Sequence, residues 1–429
     1  MNLNKTVYND INETLYHKQL DNGLNVYLLP KEGFNKTYVT ISTPLGSNVT
    51  NFTYNNKQYE IPLGVAHFLE HKLFDKNGKD ISEDFAINSA SVNAYTMNNR
   101  TTYLFSCTEN LNKNIDTLFD FVFRPSFTKE GIEKEIGIIS QEIKMYDDDP
   151  NTKIYMGTLK NLFKDHPVKN DILGTIESIN EITPDTLNIV HQAFYNPHNM
   201  IMFVCGNIDV DETIKAIETN GNIPNQEAVV EITNLPKESL NVVTKHQTIE
   251  HDILLPNCLL GIKCAGTDIN EVDMLKKELV YSILFDILIG KSTENYQNLL
   301  SKGLINDTFG MDTVFDQTYG YILMGSNSNK PDELYKELKN ILLSADIQKV
   351  DKIHFERTKK QIIGGFITAL NNLEYIANQF TKYHFLNTSL FKVLNNAKAI
   401  TIEDVEEAKK LLLDESHYTT FTINPKNKG

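Results

Sequence analysis

The stretch His67-Phe68-Leu69-Glu70-His71 places two imidazoles and a carboxylate at spacings that a helix turns towards one point. His67 and His71 are four residues apart, so on a helix both rings reach the same ion. Glu70 follows His67 by three positions and points near that ion without having to bind it, which is the place for a general base acting on a water that the ion activates. The flanks predict the helix: Pro62 and Gly64 lie just before Val65-Ala66, and Leu63, Ala66, Leu69 and Leu73 recur at helical spacing. The competing reading is a chance H-x-x-E-H on an ordinary amphipathic helix. A third ligand decides between them.

The segment Glu135-Ile136-Gly137-Ile138-Ile139-Ser140-Gln141-Glu142 supplies one. Ile132, Ile136, Ile139 and Ile143 recur at helical spacing, which predicts an amphipathic helix from about Thr128 to Tyr146. Thr128 suits its N-cap, and Asp147-Asp148-Asp149-Pro150 ends it. Glu135 and Glu142 are two turns apart and share a face. Glu142 is assigned as the third zinc ligand, and Glu135 as a carboxylate that orients the site or helps with the water. Without the first motif, a pair of glutamates reads as a solvated helix face.

The two segments together resemble the pitrilysin/insulinase family of zinc peptidases, the inverzincins, and in particular its mitochondrial-processing-peptidase-like bacterial branch. The resemblance extends to Leu20-Asp21-Asn22-Gly23-Leu24 and to Ser91-Val92-Asn93-Ala94-Tyr95-Thr96. It continues through Leu162-Phe163-Lys164-Asp165-His166-Pro167, Ile172-Leu173-Gly174-Thr175 and Tyr195-Asn196-Pro197-His198-Asn199-Met200. It implies a zinc-dependent endopeptidase with His67, His71 and Glu142 on the metal and Glu70 as base. It also implies that Asn93 and Ala94 hold the substrate beside the metal.

At 429 residues the chain exceeds one ordinary core. The polar, turn-rich stretch around Asn220-Gly221-Asn222-Ile223-Pro224-Asn225 and Pro236 divides it into residues 1–220, a linker 221–238, and residues 239–429. Strand-like runs at Leu24 to Leu29, Tyr38 to Ser42 and Met200 to Cys205 combine with a helical stretch around Ile115 to Phe123. The second half repeats the plan, with strands at Val242 to Thr248 and Leu259 to Cys264 and helices across Val272 to Ile289 and Lys352 to Phe385. The expected class is α+β: two similar domains related by internal duplication, each a mostly antiparallel sheet packed with helices. Only the first carries the metal motif.

A formal charge of −15 argues against nucleic acid as a partner. No apolar run approaches a membrane span, and the first residues lack an apolar signal-peptide core. Cys107, Cys205, Cys258 and Cys264 show no paired metal spacing, so a reduced, cytoplasmic protein is the simplest account. His166, His191 and His198 have no ligand spacing and read as structural or surface residues.

Ala90 to Cys107 reads as two strands around the turn Asn98-Asn99-Arg100. If the first is a sheet edge facing the metal, an extended peptide can pair with it through main-chain hydrogen bonds, giving broad sequence tolerance. One departure from the family matters. The resemblance implies an Arg and a Tyr in a second-half stretch like LREKGLAY, which stabilise the oxyanion. Here that stretch is Leu299-Leu300-Ser301-Lys302-Gly303-Leu304-Ile305-Asn306, with Leu300 and Asn306 in those places. The expectation is a heterodimer whose related partner lacks the zinc motif and supplies Arg and Tyr. The two would close into a chamber for short or unfolded peptides, in general turnover or in processing a precursor, signalling or bacteriocin-like peptide. A homodimer using Lys302, Tyr319 or Tyr321 is the runner-up. A non-catalytic scaffold or a peptide-binding subunit with structural zinc is the alternative from another class; a structural site, however, ordinarily has four protein ligands, and this one has three.

Overall fold

The computed structural model describes residues 3–76, 78–225, 229–233, 236, 238–268 and 270–426. Part of the expected linker, residues 226–228, 234, 235 and 237, lies outside them. The chain forms two compact units: Met1–Lys144 with Asn170–Asn234 and Ala369–Phe385, and Met145–Lys169 with Leu235–Thr368 and Leu386–Gly429.

The first unit is built on a seven-stranded sheet in the order Asn4–Tyr8, Glu13–Gln19, Asn25–Pro30, Ile201–Gly206, Thr37–Thr43, Thr101–Cys107, Ala90–Thr96. All neighbours are antiparallel except Asn25–Pro30 and Ile201–Gly206. Thr37–Thr43 and Ile201–Gly206 are buried at every residue, as central strands covered on both faces must be. One face packs on the main core, where Val39, Ile41, Val26 and Leu28 meet Phe68, Leu69 and Ile139. Helix Leu373–His384 covers the same central strands, with Phe380 stacked on Phe203 at 4.3 Å. Ala90–Thr96 is the edge strand next to Thr101–Cys107.

The second unit has a five-stranded sheet in the order His246–His251, Tyr418–Pro425, Asn257–Ala265, Tyr319–Asn327, Gly310–Phe315. Its one parallel pair is the first. Strand for strand this repeats the last five strands of the larger sheet: same order, same sense, same sequence of visits. The α+β duplication is therefore present.

The contiguous division into 1–220 and 239–429 is redrawn at two helices. Pro150–Leu162, from the first half of the sequence, packs on Asn257–Ala265 and Tyr418–Pro425 and belongs to the second unit. Gly157 and Gly261 permit this approach; a Cβ on Gly157 would lie 2.3 Å from the Phe421 ring and one on Gly261 2.8 Å from Thr158. Reciprocally, Leu373–His384 belongs to the first unit. The single helix expected across Lys352 to Phe385 is two, Lys352–Ala369 and Leu373–His384, because Asn372 caps a new start by accepting from Tyr375 N at 3.0 Å. The strand expected at Val242 to Thr248 runs instead over His246–His251, since Val242 N and Val243 N donate to Ser416 O and Asn161 O.

Among the described residues no helix is long and apolar enough to cross a membrane. All four cysteines are free and buried.

Candidate metal centre

The H-x-x-E-H segment lies on helix Val65–Phe74, which turns Val65, Ala66, Phe68, Leu69 and Leu73 into the core. Its start is set by a backbone lock. Gly64 has φ +87° and Gly174 φ +76°, a region that disfavours side chains, and each faces the other's neighbour. A Cβ on Gly64 would stand 2.3 Å from Leu173 O, and one on Gly174 2.5 Å from Leu63 O. Ser178 Oγ adds a 2.8 Å hydrogen bond to Leu63 O. The second helix, Lys129–Asp148, buries Ile132, Glu135, Ile139 and Ile143. Thr128 Oγ1 accepts from Gly131 N at 3.1 Å at its start, and Asp149 caps the next helix through Thr152 N.

These two helices bring together His67, His71 and Glu142, whose ligand atoms all lie within 4.8 Å of one another. His67 Nε2 is 3.9 Å and His71 Nε2 3.6 Å from Glu142 Oε2. Donors bonded to one tetrahedral zinc at about 2.0–2.1 Å stand roughly 3.3–3.5 Å apart, so this set fits the ion after small side-chain adjustments. Among the described residues it is the one such group of three. Burial, then His71, pushes the His67 imidazole down to about 3, so it is neutral and can offer its lone pair. Burial alone would also lower His71, but the hydrogen bond and charge of Glu135, then Glu70 and Glu142, outweigh it and raise its pKa.

Glu135 stands behind the metal position. Its Oε1 lies 3.1 Å from His71 Nδ1, which fixes the ring with Nε2 turned towards Glu142. Glu135 is only 6% exposed. The sequence reading offered Glu135 as a carboxylate that orients the site or helps with the water, and the structure places it against His71 Nδ1. Glu70 is 7% exposed. Burial pushes its carboxyl up, while the Thr96 hydrogen bond and His71 pull it down. Thr96 Oγ1 donates to Glu70 Oε2 at 2.6 Å, a contact that sequence reasoning missed although Thr96 closes the stretch quoted for the family resemblance.

Asn93 and Ala94 lie on the edge strand, paired to Leu104 and Tyr103 on its inner side. The Asn93 amide oxygen accepts from Ala94 N at 2.9 Å, and Asn93 is exposed. In the second unit, Leu300 projects from helix Glu294–Ser301 and is 42% exposed. Asn306 is spent locally, donating to Asn327 O at 3.2 Å and accepting from Thr308. Neither offers a cation or a phenol. His166 and His191 are structural, bound to Thr318 Oγ1 at 3.0 Å and Val122 O at 2.8 Å.

Among the described residues the second unit has no such group of three. Helix Met274–Ile289 carries Asp286 three residues from its end, as Val65–Phe74 carries His71. Asp286 Oδ2 lies 3.1 Å from His354 Nε2 on helix Lys352–Ala369, the same interhelical acid–imidazole pair with the two groups exchanged. Four residues before Asp286 is Ser282, one before it is Phe285, and seven after His354 is Gln361, where the first unit has His67, Glu70 and Glu142. At the positions of His67, His71 and Glu142 the second unit has a serine, an aspartate already engaged, and an amide.

Residues 55–176 match the family described as Insulinase (Peptidase family M16), and residues 181–362 match Peptidase M16 inactive domain. A curated relative, the uncharacterized zinc protease YmfH of Bacillus subtilis (strain 168), is 41% identical over 98% of this chain and 99% of its own length. The chain belongs to the insulinase (M16) peptidase family. Another relative, an uncharacterized zinc protease of Rickettsia bellii (strain RML369-C), is 26% identical over 95% of this chain and 97% of its own length. Among solved structures, an M16-like peptidase from Alicyclobacillus acidocaldarius superposes with a TM-score of 0.90 at 30% identity, covering 99% of both chains. Pitrilysin shares the fold, with a TM-score of 0.75 at 17% identity over 99% of this chain and 46% of its own. The second family model, residues 181–362, covers the end of the first unit and the part of the second unit that carries Ser282, Asp286 and Gln361.

Proposed function

We propose that this M16 chain is a zinc-dependent endopeptidase of short or unfolded peptides, and the metal-holding member of a heterodimer. The observation that carries this reading is the convergence of His67 Nε2, His71 Nε2 and Glu142 Oε2 with Glu70 on the intervening turn. A zinc ion held by these three residues would polarise the scissile carbonyl and make the attacking water acidic. Glu70 takes the proton from that water and passes it to the leaving amine. Glu135 holds His71 in place, and the edge strand Ala90–Thr96 receives the peptide in extended form through its outward main-chain groups, with Asn93 and Ala94 nearest the cleavage point. Leu300 and Asn306 support the heterodimer: the chain lacks an Arg and a Tyr where the family pattern has them, so a related subunit without the zinc motif supplies both. The four buried free thiols suit a reducing, cytoplasmic compartment.

The test is cleavage of a mixed peptide library, read by mass spectrometry, with wild type and Glu70→Gln, each alone and mixed with a related chain lacking H-x-x-E-H. Cleavage only by the wild-type mixture is the expected result. Cleavage by wild type alone would keep the chemistry and replace the heterodimer with a homodimer. Cleavage that persists in Glu70→Gln would overturn the mechanism.

A further inference from the structure

Glu70 is held from behind by a buried threonine hydroxyl that no motif announces. Thr101 Oγ1 donates to Leu45 O at 2.8 Å, so its single hydrogen is committed. Thr96 Oγ1 lies 3.3 Å from Thr101 Oγ1 and donates its own hydrogen to Glu70 Oε2 at 2.6 Å. Thr96 is 8% exposed and Thr101 is fully buried, so water does not compete for these bonds. Thr96 is also the last residue of the edge strand Ala90–Thr96. The strand that offers its outer side to a peptide thus ends on the carboxylate that would do the chemistry.

We propose that Thr96 is a positioning residue for Glu70: its hydroxyl pins Oε2, leaving Oε1 as the atom that exchanges the proton. This rests on the reading of Glu70 as general base. The water proton goes to Oε1 as the water oxygen bonds to the carbonyl carbon; Oε2 remains an acceptor for Thr96 in both the carboxylate and the neutral acid. Oε1 then gives the proton to the departing nitrogen as the C–N bond breaks, and the carboxylate is restored. Because the Thr96 bond survives every protonation state, the side chain need not reorient between the two transfers.

The experiment compares Thr96→Val, Thr96→Ala and Thr96→Ser with wild type and Glu70→Gln, using one peptide that the wild-type preparation cleaves. Zinc content and Tm are measured in parallel. Loss of a hydrogen bond to a charged group is expected to lower kcat about ten- to a hundredfold in the Val and Ala variants. KM and zinc content stay within about twofold, and Ser recovers most of the rate. The double variant Thr96→Val/Glu70→Gln should be no slower than Glu70→Gln alone, because Thr96 acts through Glu70. Unchanged kcat in both Val and Ala variants, no recovery in Ser, or additive losses in the double variant would overturn the proposal. A second readout is independent of turnover: the Glu70 carboxylate infrared band, isolated as wild type minus Glu70→Gln, shifts in Thr96→Ala if Oε2 is bonded and does not otherwise. An inactive wild type with a shifting band would fail the peptidase reading while supporting the positioning role.

Discussion

Glu135→Gln changes one buried oxygen to an amide nitrogen and removes one charge, with the shape kept. In the structure Glu135 Oε1 accepts from His71 Nδ1 at 3.1 Å, and the carboxylate is nearly closed off from solvent. A hydrogen bond to a charged group in such a place is worth about 1.5–3 kcal/mol. A zinc ion held at His71 Nε2 would make Nδ1–H a better donor and strengthen the bond, so most of this energy would be lost from the loaded state. At ~1.4 kcal/mol per tenfold, zinc affinity should fall about ten- to a hundredfold. The assay is competition with a zinc-binding dye at neutral pH, comparing wild type, Glu135→Gln, Glu142→Gln and Glu70→Gln. Glu142→Gln, which loses a ligand, should fall furthest, and Glu70→Gln should hold zinc as wild type does. A Glu135→Gln affinity within about twofold of wild type would refute the orienting role, since ~1.4 kcal/mol is the least that a tenfold change demands. Turnover at saturating zinc separates the two duties offered for Glu135: recovery leaves it an orienter, and a persistent deficit gives it a part in the chemistry.

Gly64→Ala forces a side chain onto φ +87° and against Leu173 O, and should cost about 2 kcal/mol or more, seen as a lower Tm and reduced zinc retention; Gly78→Ala, with positive φ and open space, should cost less. Glu238 accepts from the backbone of Lys164, Asp165 and His166 and pairs with Lys263, which together hold its carboxyl down to about 2 despite burial. The folded value lies below the unfolded one near 4.5, so the stabilisation is complete above that pH and disappears as pH falls towards 2. The displacement corresponds to ~3 kcal/mol, or ~2 kcal/mol after solvent screening. The Tm gap between wild type and Glu238→Gln should therefore narrow between pH 6 and pH 3; a gap that is constant with pH would contradict it. Leu300→Arg with Asn306→Tyr, made in this chain, should give the lone chain some of the cleavage that otherwise needs the partner, and no gain in homogeneous preparations would count against the missing-pair argument.

The candidate metal centre is legible because its residues are local to two helices. His67, Glu70 and His71 sit on one helix, and Glu135 and Glu142 on another whose isoleucine spacing fixes which side faces inward; only the meeting of the helices had to come from the fold. The edge position of Ala90–Thr96 was a conditional reading that strand order resolves. The two exchanged helices were not legible. Their amphipathic faces demand a sheet, yet Leu373, Ile376, Ala377 and Phe380 say nothing about which of two similar sheets takes them, and a duplicated fold makes the choices nearly equivalent. Thr96 was hidden for another reason: a threonine at a strand end is ordinary, and its partner Glu70 is 26 residues away. The second unit carries the same kind of interhelical contact without a comparable group of three donors among the described residues. Asp286 pairs with His354, reinforced by Thr358 Oγ1 donating to Asp286 Oδ2 at 2.5 Å, while Ser282 and Gln361 stand at the positions of His67 and Glu142. That contact holds two helices together with or without an ion. The pairing of His71 with Glu135 therefore joins two helices as well as flanking the candidate metal position, and the pair in the second unit has only the first of these features.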